Sequence, residues 1–184
     1  MPHFGQTSLR NRSTCHEFVR DACDAVIKRR NCRLIHGWRG PAIQNEVRRS
    51  GFSTKRWPYS MHNTMLFDKE TRLLSPCSLA VDLMPYYDIE PHIRWNDEQA
   101  VHEFTGYVKA KAEDLGIELM NGYDWDMDLD FHDQTLMDGP HYQSVFPEIA
   151  LETVRVVDIG ATWQPAHGPV VDLVTIIVDD KCAA

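Results

Sequence analysis

Ser78-Leu79-Ala80-Val81-Asp82-Leu83-Met84-Pro85 is an apolar run with a single carboxylate set into it. It reads as a short β-strand that Pro85 must end, because proline cannot donate to a sheet ladder. Asp82 is therefore expected near a strand terminus. Ser60-Met61-His62-Asn63 ends a loop announced by Pro58, and Asp138-Gly139-Pro140-His141-Tyr142-Gln143 begins with turn chemistry and runs into a strand. Asp138 then lies on the turn, and His141 enters the sheet. Two imidazoles and one carboxylate suit a borderline-soft ion such as zinc, and three protein ligands leave one tetrahedral position open, as in a catalytic site. His62, Asp82 and His141 are the candidate ligands. Asp138, three residues before His141, is the candidate base that takes a proton from water at that position.

Around these segments the chain reads as one α+β domain, a small antiparallel sheet with flanking helices. Phe18, Ala22, Ala25 and Val26 recur at helical spacing and predict a helix over residues 15–30, capped by Ser13 or Thr14. Residues 32–35 read as a strand, 37–40 as a turn, and 42–50 as a short helix closed by Gly51. Ala100, Val101, Phe104, Val108 and Ala112 predict a second long helix over 97–115, capped by Asn96 and ended by Gly116. A strand over 117–120 should follow. Residues 154–157 and 173–178 read as strands joined through a hairpin at 164–169, where His167 is a loop residue. The expected organisation is residues 1–145 as the main domain and 146–184 as a β extension packed on it.

The acidic stretch Asp124-Trp125-Asp126-Met127-Asp128-Leu129-Asp130-Phe131-His132-Asp133 places carboxylates at alternate positions, as a hard cation such as calcium needs. Leu129 stands where an EF-hand loop has glycine and Thr135 where it has glutamate, so Asp133 would have to close the shell. Cys15, Cys23, Cys32, Cys77 and Cys182 are odd in number and lack paired metal spacing, so they read as small reduced residues, several of them buried. At 184 residues and 43% hydrophobic the chain can bury one core. No apolar run approaches membrane-spanning length, and the amino terminus has no signal-type apolar segment. Net charge is −8, but residues 1–72 hold 14 Lys and Arg against 6 Asp and Glu, while residues 73–184 hold 5 against 21. Mutual neutralisation on folding is the preferred reading, ahead of a nucleic-acid arm.

The segments Ser60 to His62, Ala80 to Asp82 and Asp138 to His141 resemble peptidase family M15, the D-Ala-D-Ala carboxypeptidase and dipeptidase group of zinc enzymes. The resemblance is to its phage endolysin branch of L-alanyl-D-glutamate endopeptidases in particular. Phe4-Gly5-Gln6-Thr7-Ser8 with Leu9, Ile35-His36-Gly37-Trp38-Arg39-Gly40 with Gln44, Leu115-Gly116-Ile117 and Gly122-Tyr123-Asp124-Trp125 fall in the family's order, so about residues 4–143 are covered. One departure stands out. Nineteen positions separate His62 from Asp82, far more than the family has, and residues 66–74 look like an inserted excursion. His92, His102 and His132 are rivals for the first ligand, but none carries the Ser-x-His context.

The resemblance implies the M15 fold, zinc on His62, Asp82 and His141, Asp138 as base, Arg39 near the substrate, and Gln44 and Ser60 in substrate binding. Arginine's planar fork suits a substrate carboxylate or a developing oxyanion. Some phage members carry a calcium-responsive loop where Asp124, Asp126, Asp128, Asp130 and Asp133 lie. The implied partner is bacterial peptidoglycan, to which a basic face would be attracted, with no nucleic acid and no membrane insertion. The expected product is a monomer that stays in the host bacterial cytoplasm until release to the wall. The implied activity is cleavage of the L-Ala-D-Glu bond of the peptide stem. The alternatives are a D-Ala-D-Ala carboxypeptidase of the same fold and a non-catalytic virion or wall-binding protein.

Overall fold

The structure is a computed structural model that describes residues 2–145, except 69, 70, 72, 129 and 132, together with 153–154. In chain order its elements are α1 (Gln6–Ser13), α2 (Glu17–Ile27), β1 (Cys32–His36), α3 (Pro41–Arg49), a 3-10 turn (Met61–Asn63), β2 (Met65–Phe67), β3 (Leu74–Pro76), β4 (Ala80–Pro85), α4 (Glu98–Glu113), β5 (Leu119–Gly122), β6 (Asp138–Ser144) and β7 (Thr153–Val154). The strands form a four-stranded sheet in the order β1-β4-β6-β5 and a three-stranded one in the order β3-β2-β7. Every pairing is antiparallel. This is the expected small α+β fold.

The main core lies between one face of the larger sheet and the helices α2 and α4. Val19, Ala22, Cys23 and Val26 of α2 and Phe104, Val108 and Ala112 of α4 pack there against Leu34, Val81, Leu83 and Tyr142. Because side chains alternate along a strand, these contacts fix both faces of each strand. Val81 and Leu83 face the helices, so Asp82 between them faces the other way. Tyr142 likewise turns its neighbours His141 and Gln143 outward, and its hydroxyl is satisfied inside the core by Thr105 at 3.0 Å. Cys15, Cys23, Cys32 and Cys77 are buried, as expected of several of the small cysteine residues. Cys182 lies outside the described residues.

Several boundaries differ from the sequence reading, each for a local reason. The polar helix α1 buries only Ser8 and so shows no apolar period. Its presence moves the cap of α2 to His16, because the Thr14 hydroxyl donates to the carbonyl of Asn11 and accepts from the Trp38 amide instead. The cap of α4 is Asp97, not Asn96, with its carboxylate accepting from the Ala100 amide at 3.2 Å. Gly116, at φ +71°, turns the chain out of α4, and Ile117 still bonds back to Ala112, which delays β5 to Leu119. Asp82 is the third of six residues in β4 and not at its end, and Asp138 opens β6 and is not left on a turn.

The excursion between His62 and Asp82 is a hairpin of β2 and β3. Its base is closed where Thr64 donates its hydroxyl to the Cys77 carbonyl at 2.8 Å and accepts from the Leu79 amide at 2.9 Å. Both ends of the insertion are thus clamped beside the sheet, whatever the loop does beyond them. β7 pairs with β2 through Thr153 and Val154. The expected strand over 173–178, the hairpin at 164–169 with His167, and the rest of the strand expected at 154–157 lie outside the described residues.

Candidate metal centre

Asp82 and His141 are opposite each other in the β4–β6 ladder, and directly opposed side chains on one face are close neighbours. His62 reaches them from the 3-10 turn. Ser60 caps that turn by accepting from the His62 amide at 3.3 Å, while Asn63 Oδ1 accepts from the Ser60 amide at 3.0 Å. The turn is also tied to the loop after β1, because the Arg39 amide donates to the His62 carbonyl and Asn63 donates to the Arg39 carbonyl at 2.7 Å. Irregular pairing between β5 and β6 shapes the third segment. Asn121 pairs with Tyr142, but Gly122 pairs with Asp138, and the Asn121 amide nitrogen donates to the carbonyls of both Gly139 and His141. That bulge puts Asp138 and His141 at one place.

His62 Nε2 lies 3.0 Å from Asp82 Oδ1 and 3.1 Å from His141 Nδ1, and His141 Nδ1 lies 3.4 Å from Asp82 Oδ1. The other ring nitrogens decide what these three atoms are. His62 Nδ1 is 2.7 Å from the Gly37 carbonyl, to which it can only donate, and His141 Nε2 donates to Gln143 Oε1 at 3.0 Å. With those outer hydrogen bonds, each ring nitrogen that faces Asp82 offers a lone pair when it carries no proton. Two ring nitrogens and a carboxylate oxygen converging in a buried place suit a cation between them. The group could hold a metal ion.

The electrostatics agree with a buried cationic centre. Burial lowers His62 to about 4, so it is neutral and ready to ligate at neutral pH. Burial opposes the charge on Asp82, but His62, His141 and His36 outweigh it and hold the carboxyl well below its ordinary range. Burial also opposes protonation of His141, and Asp82 overrides it in the upward direction. Asp138 is pushed up to about 6 by burial and by the nearby Asp82 carboxylate. A carboxylate shifted toward neutral pH beside a cation site is a proton acceptor matched to physiological conditions.

The sequence motifs assign His36 no role. It bonds Asp82 Oδ2 through Nδ1 at 2.9 Å, and Arg39 lies 3.6 Å from the same oxygen. Leu34 pairs with Leu83 and His36 with Asp82, so a bulge at Ile35 turns His36 onto the face that Leu34 avoids. No period-two reading could show this.

A cleft of about 680 Å³ opens over the centre, lined by Arg39, Ser60, Trp125, Asp138 and His141 among others. Arg39 is 4% exposed, and its Nε has no hydrogen-bond partner among the described residues. Ser60 lines the cleft while capping the His62 turn. Gln44 does not line it: the side chain is fully buried and donates to the Lys55 carbonyl at 2.7 Å. Gln44, expected in substrate binding, thus sits behind the cleft wall and is tied to it at Lys55.

Of the acidic residues, Asp124, Asp126 and Asp128 gather into a second group that could hold a cation, and Asp130 and Asp133 are not part of it. Asp124 also faces Lys109 Nζ at 3.3 Å, and Asp133 accepts from Gln134. Two of the rival histidines are engaged elsewhere. His92 bonds the Tyr87 carbonyl, and His102 stacks on Tyr123. His132 lies outside the described residues.

A carboxylate of raised proton affinity and a three-residue group that could hold a metal ion stand on the floor of an open cleft, an arrangement suited to hydrolysis. Residues 3–145 match the family described as phage L-alanyl-D-glutamate peptidase, and the chain belongs to that family. It is a hydrolase of peptide bonds whose substrate is the bacterial cell wall, a phage peptidoglycan peptidase of the endolysin kind. Among solved structures, the chain is similar to the Serratia marcescens L-Ala D-Glu endopeptidase ChiX, at 22% identity and TM-score 0.53, over 80% of this chain and 94% of that one. That likeness shows the fold. No curated protein matches the sequence.

Proposed function

We propose that the protein is a zinc-dependent endolysin that hydrolyses the L-Ala-D-Glu amide bond in peptidoglycan stems. The observation that carries this reading is the convergence of His62 Nε2, Asp82 Oδ1 and His141 Nδ1 at 3.0–3.4 Å, with both tautomers set by outer hydrogen bonds. Bonds of ~2.0–2.1 Å in a tetrahedral shell place neighbouring donors roughly 3.3–3.4 Å apart. The triangle here fits that shell, and the nitrogen and oxygen donors suit zinc. The chemistry such an ion supplies is the polarisation of a scissile carbonyl and the acidification of water.

The chain's own groups supply the rest. Asp138 accepts the proton of the attacking water and returns it to the leaving amine. The Arg39 guanidinium, with an unused Nε donor beside the cleft, holds the substrate or the oxygen that becomes anionic. His36 and Arg39 hold Asp82 Oδ2, leaving Oδ1 to the ion. The enzyme works as a monomer and reaches the wall from the host cytoplasm on release; no helix among the described residues is long and apolar enough to cross a membrane. The group Asp124, Asp126 and Asp128 takes calcium, which a titration watched by Trp125 fluorescence would register.

Mass spectrometry of fragments released from purified peptidoglycan, with and without chelator, tests the central reading. Metal-dependent stems freed at L-Ala are the expected product. Loss of only a terminal D-Ala would replace it with a carboxypeptidase, and no metal-dependent fragment would leave a wall-binding protein.

A further inference from the structure

We propose that Lys55 is a specificity-determining residue: it pairs with the free carboxylate of the glutamate beyond the scissile bond and makes the cleft selective against stems in which that carboxylate is an amide. The inference rests on the L-Ala-D-Glu reading above. A glutamate whose nitrogen is acylated by alanine, and which continues the chain through one carboxyl group, keeps the other one free. The substrate therefore brings a negative charge into the cleft a few bonds from the amide that is cut.

Three residues of the cleft wall outside the ligand set carry charge: Arg39, Lys55 and Asp138. Asp138 repels a carboxylate. Arg39 is buried beside Asp82 at 3.6 Å and already serves the oxygen that becomes anionic at the reaction centre. Lys55 is exposed on the wall, and the ion pairs found among the described residues use other cations. Its ammonium is thus the cleft's available partner for an incoming anion.

The position of Lys55 is also fixed relative to the reaction centre. Its carbonyl accepts from the fully buried Gln44 Nε2 at 2.7 Å, and its amide donates to Ser53 Oγ at 3.1 Å. Gln44 Oε1 in turn accepts from Asn63 Nδ2 at 3.4 Å, and Asn63 follows the ligand His62. One chain of buried amides therefore links the Lys55 backbone to the metal turn, while the four-carbon stem leaves the ammonium free to follow its partner.

Two synthetic stems, identical except that the free glutamate carboxylate of one is a carboxamide, test the assignment with the zinc-loaded full chain. Wild type should cleave the carboxylate stem roughly two- to fivefold faster in kcat/KM, the size of an exposed ion pair. The difference should lie in KM and shrink at high salt. Lys55→Met should bring the ratio of the two stems toward one, and Lys55→Arg should restore it. Equal cleavage by wild type, or a preference that survives in Lys55→Met, would overturn the role of Lys55 while leaving the endopeptidase reading intact. Failure of wild type to cut either stem at L-Ala would overturn that reading and this one with it.

Discussion

Neutral His62 has one ring proton, and the Gly37 carbonyl takes it. That hydrogen bond leaves the other ring nitrogen as a lone pair aimed at Asp82, and Gln143 accepts from the outer nitrogen of His141 in the same way. Asp138 stands apart as the group with no ligating duty and a raised proton affinity. Asp138→Asn should keep the fold and bound zinc but lower kcat by about 10²–10⁴-fold, as activity assays and metal analysis would show. In wild type Asp138 must be ionised to work, and burial and Asp82 raise it to about 6. Activity should accordingly fall about tenfold per pH unit below that value and flatten above it, with the bound cation able only to move the limb lower. His36 holds one oxygen of Asp82, so His36→Ala should weaken zinc binding by roughly 10–100-fold. Competition with a chelator would measure it, and unchanged affinity would remove His36 from the site.

At the scale of elements, the site is made by strand alternation and by the two places where alternation breaks. Cross-strand pairing of Asp82 with His141 follows from regular register. The bulges at Ile35 and beyond Asn121 add His36 and Asp138 to the same face. Gly122 permits the second bulge, because a Cβ there would strike the Asp138 carbonyl. Gly122→Ala should therefore cost about 1–3 kcal/mol in stability and loosen metal binding, visible as a lower melting temperature and easier loss of zinc to a chelator. The β2–β3 hairpin shows the opposite case. Its length disturbs nothing, since Thr64, Cys77 and Leu79 close it before the ligands are reached.

Across the whole molecule, the basic first part and the acidic remainder meet at the site, where Arg39 approaches Asp82. Pairs such as Arg12 with Asp24, or Lys109 with Asp124, stay within one part. The core of α2, α4 and the larger sheet lies within the family-matched residues 3–145. A chain ended after residue 145 should consequently fold, bind zinc and cleave stems without the β7 pairing; circular dichroism, metal analysis and fragment release would check it. Sequence alone determined the fold class and the two main helices, and its motifs pointed to His62, Asp82, Asp138 and His141, which the fold gathers at one cleft. Their types, their motif context and the apolar period around them are local properties. It could not place His36, bury Gln44 behind the cleft wall, or put α1 and the bulges where they are. Those depend on which face a strand turns inward and on which buried donors find acceptors, and only the packed chain decides that.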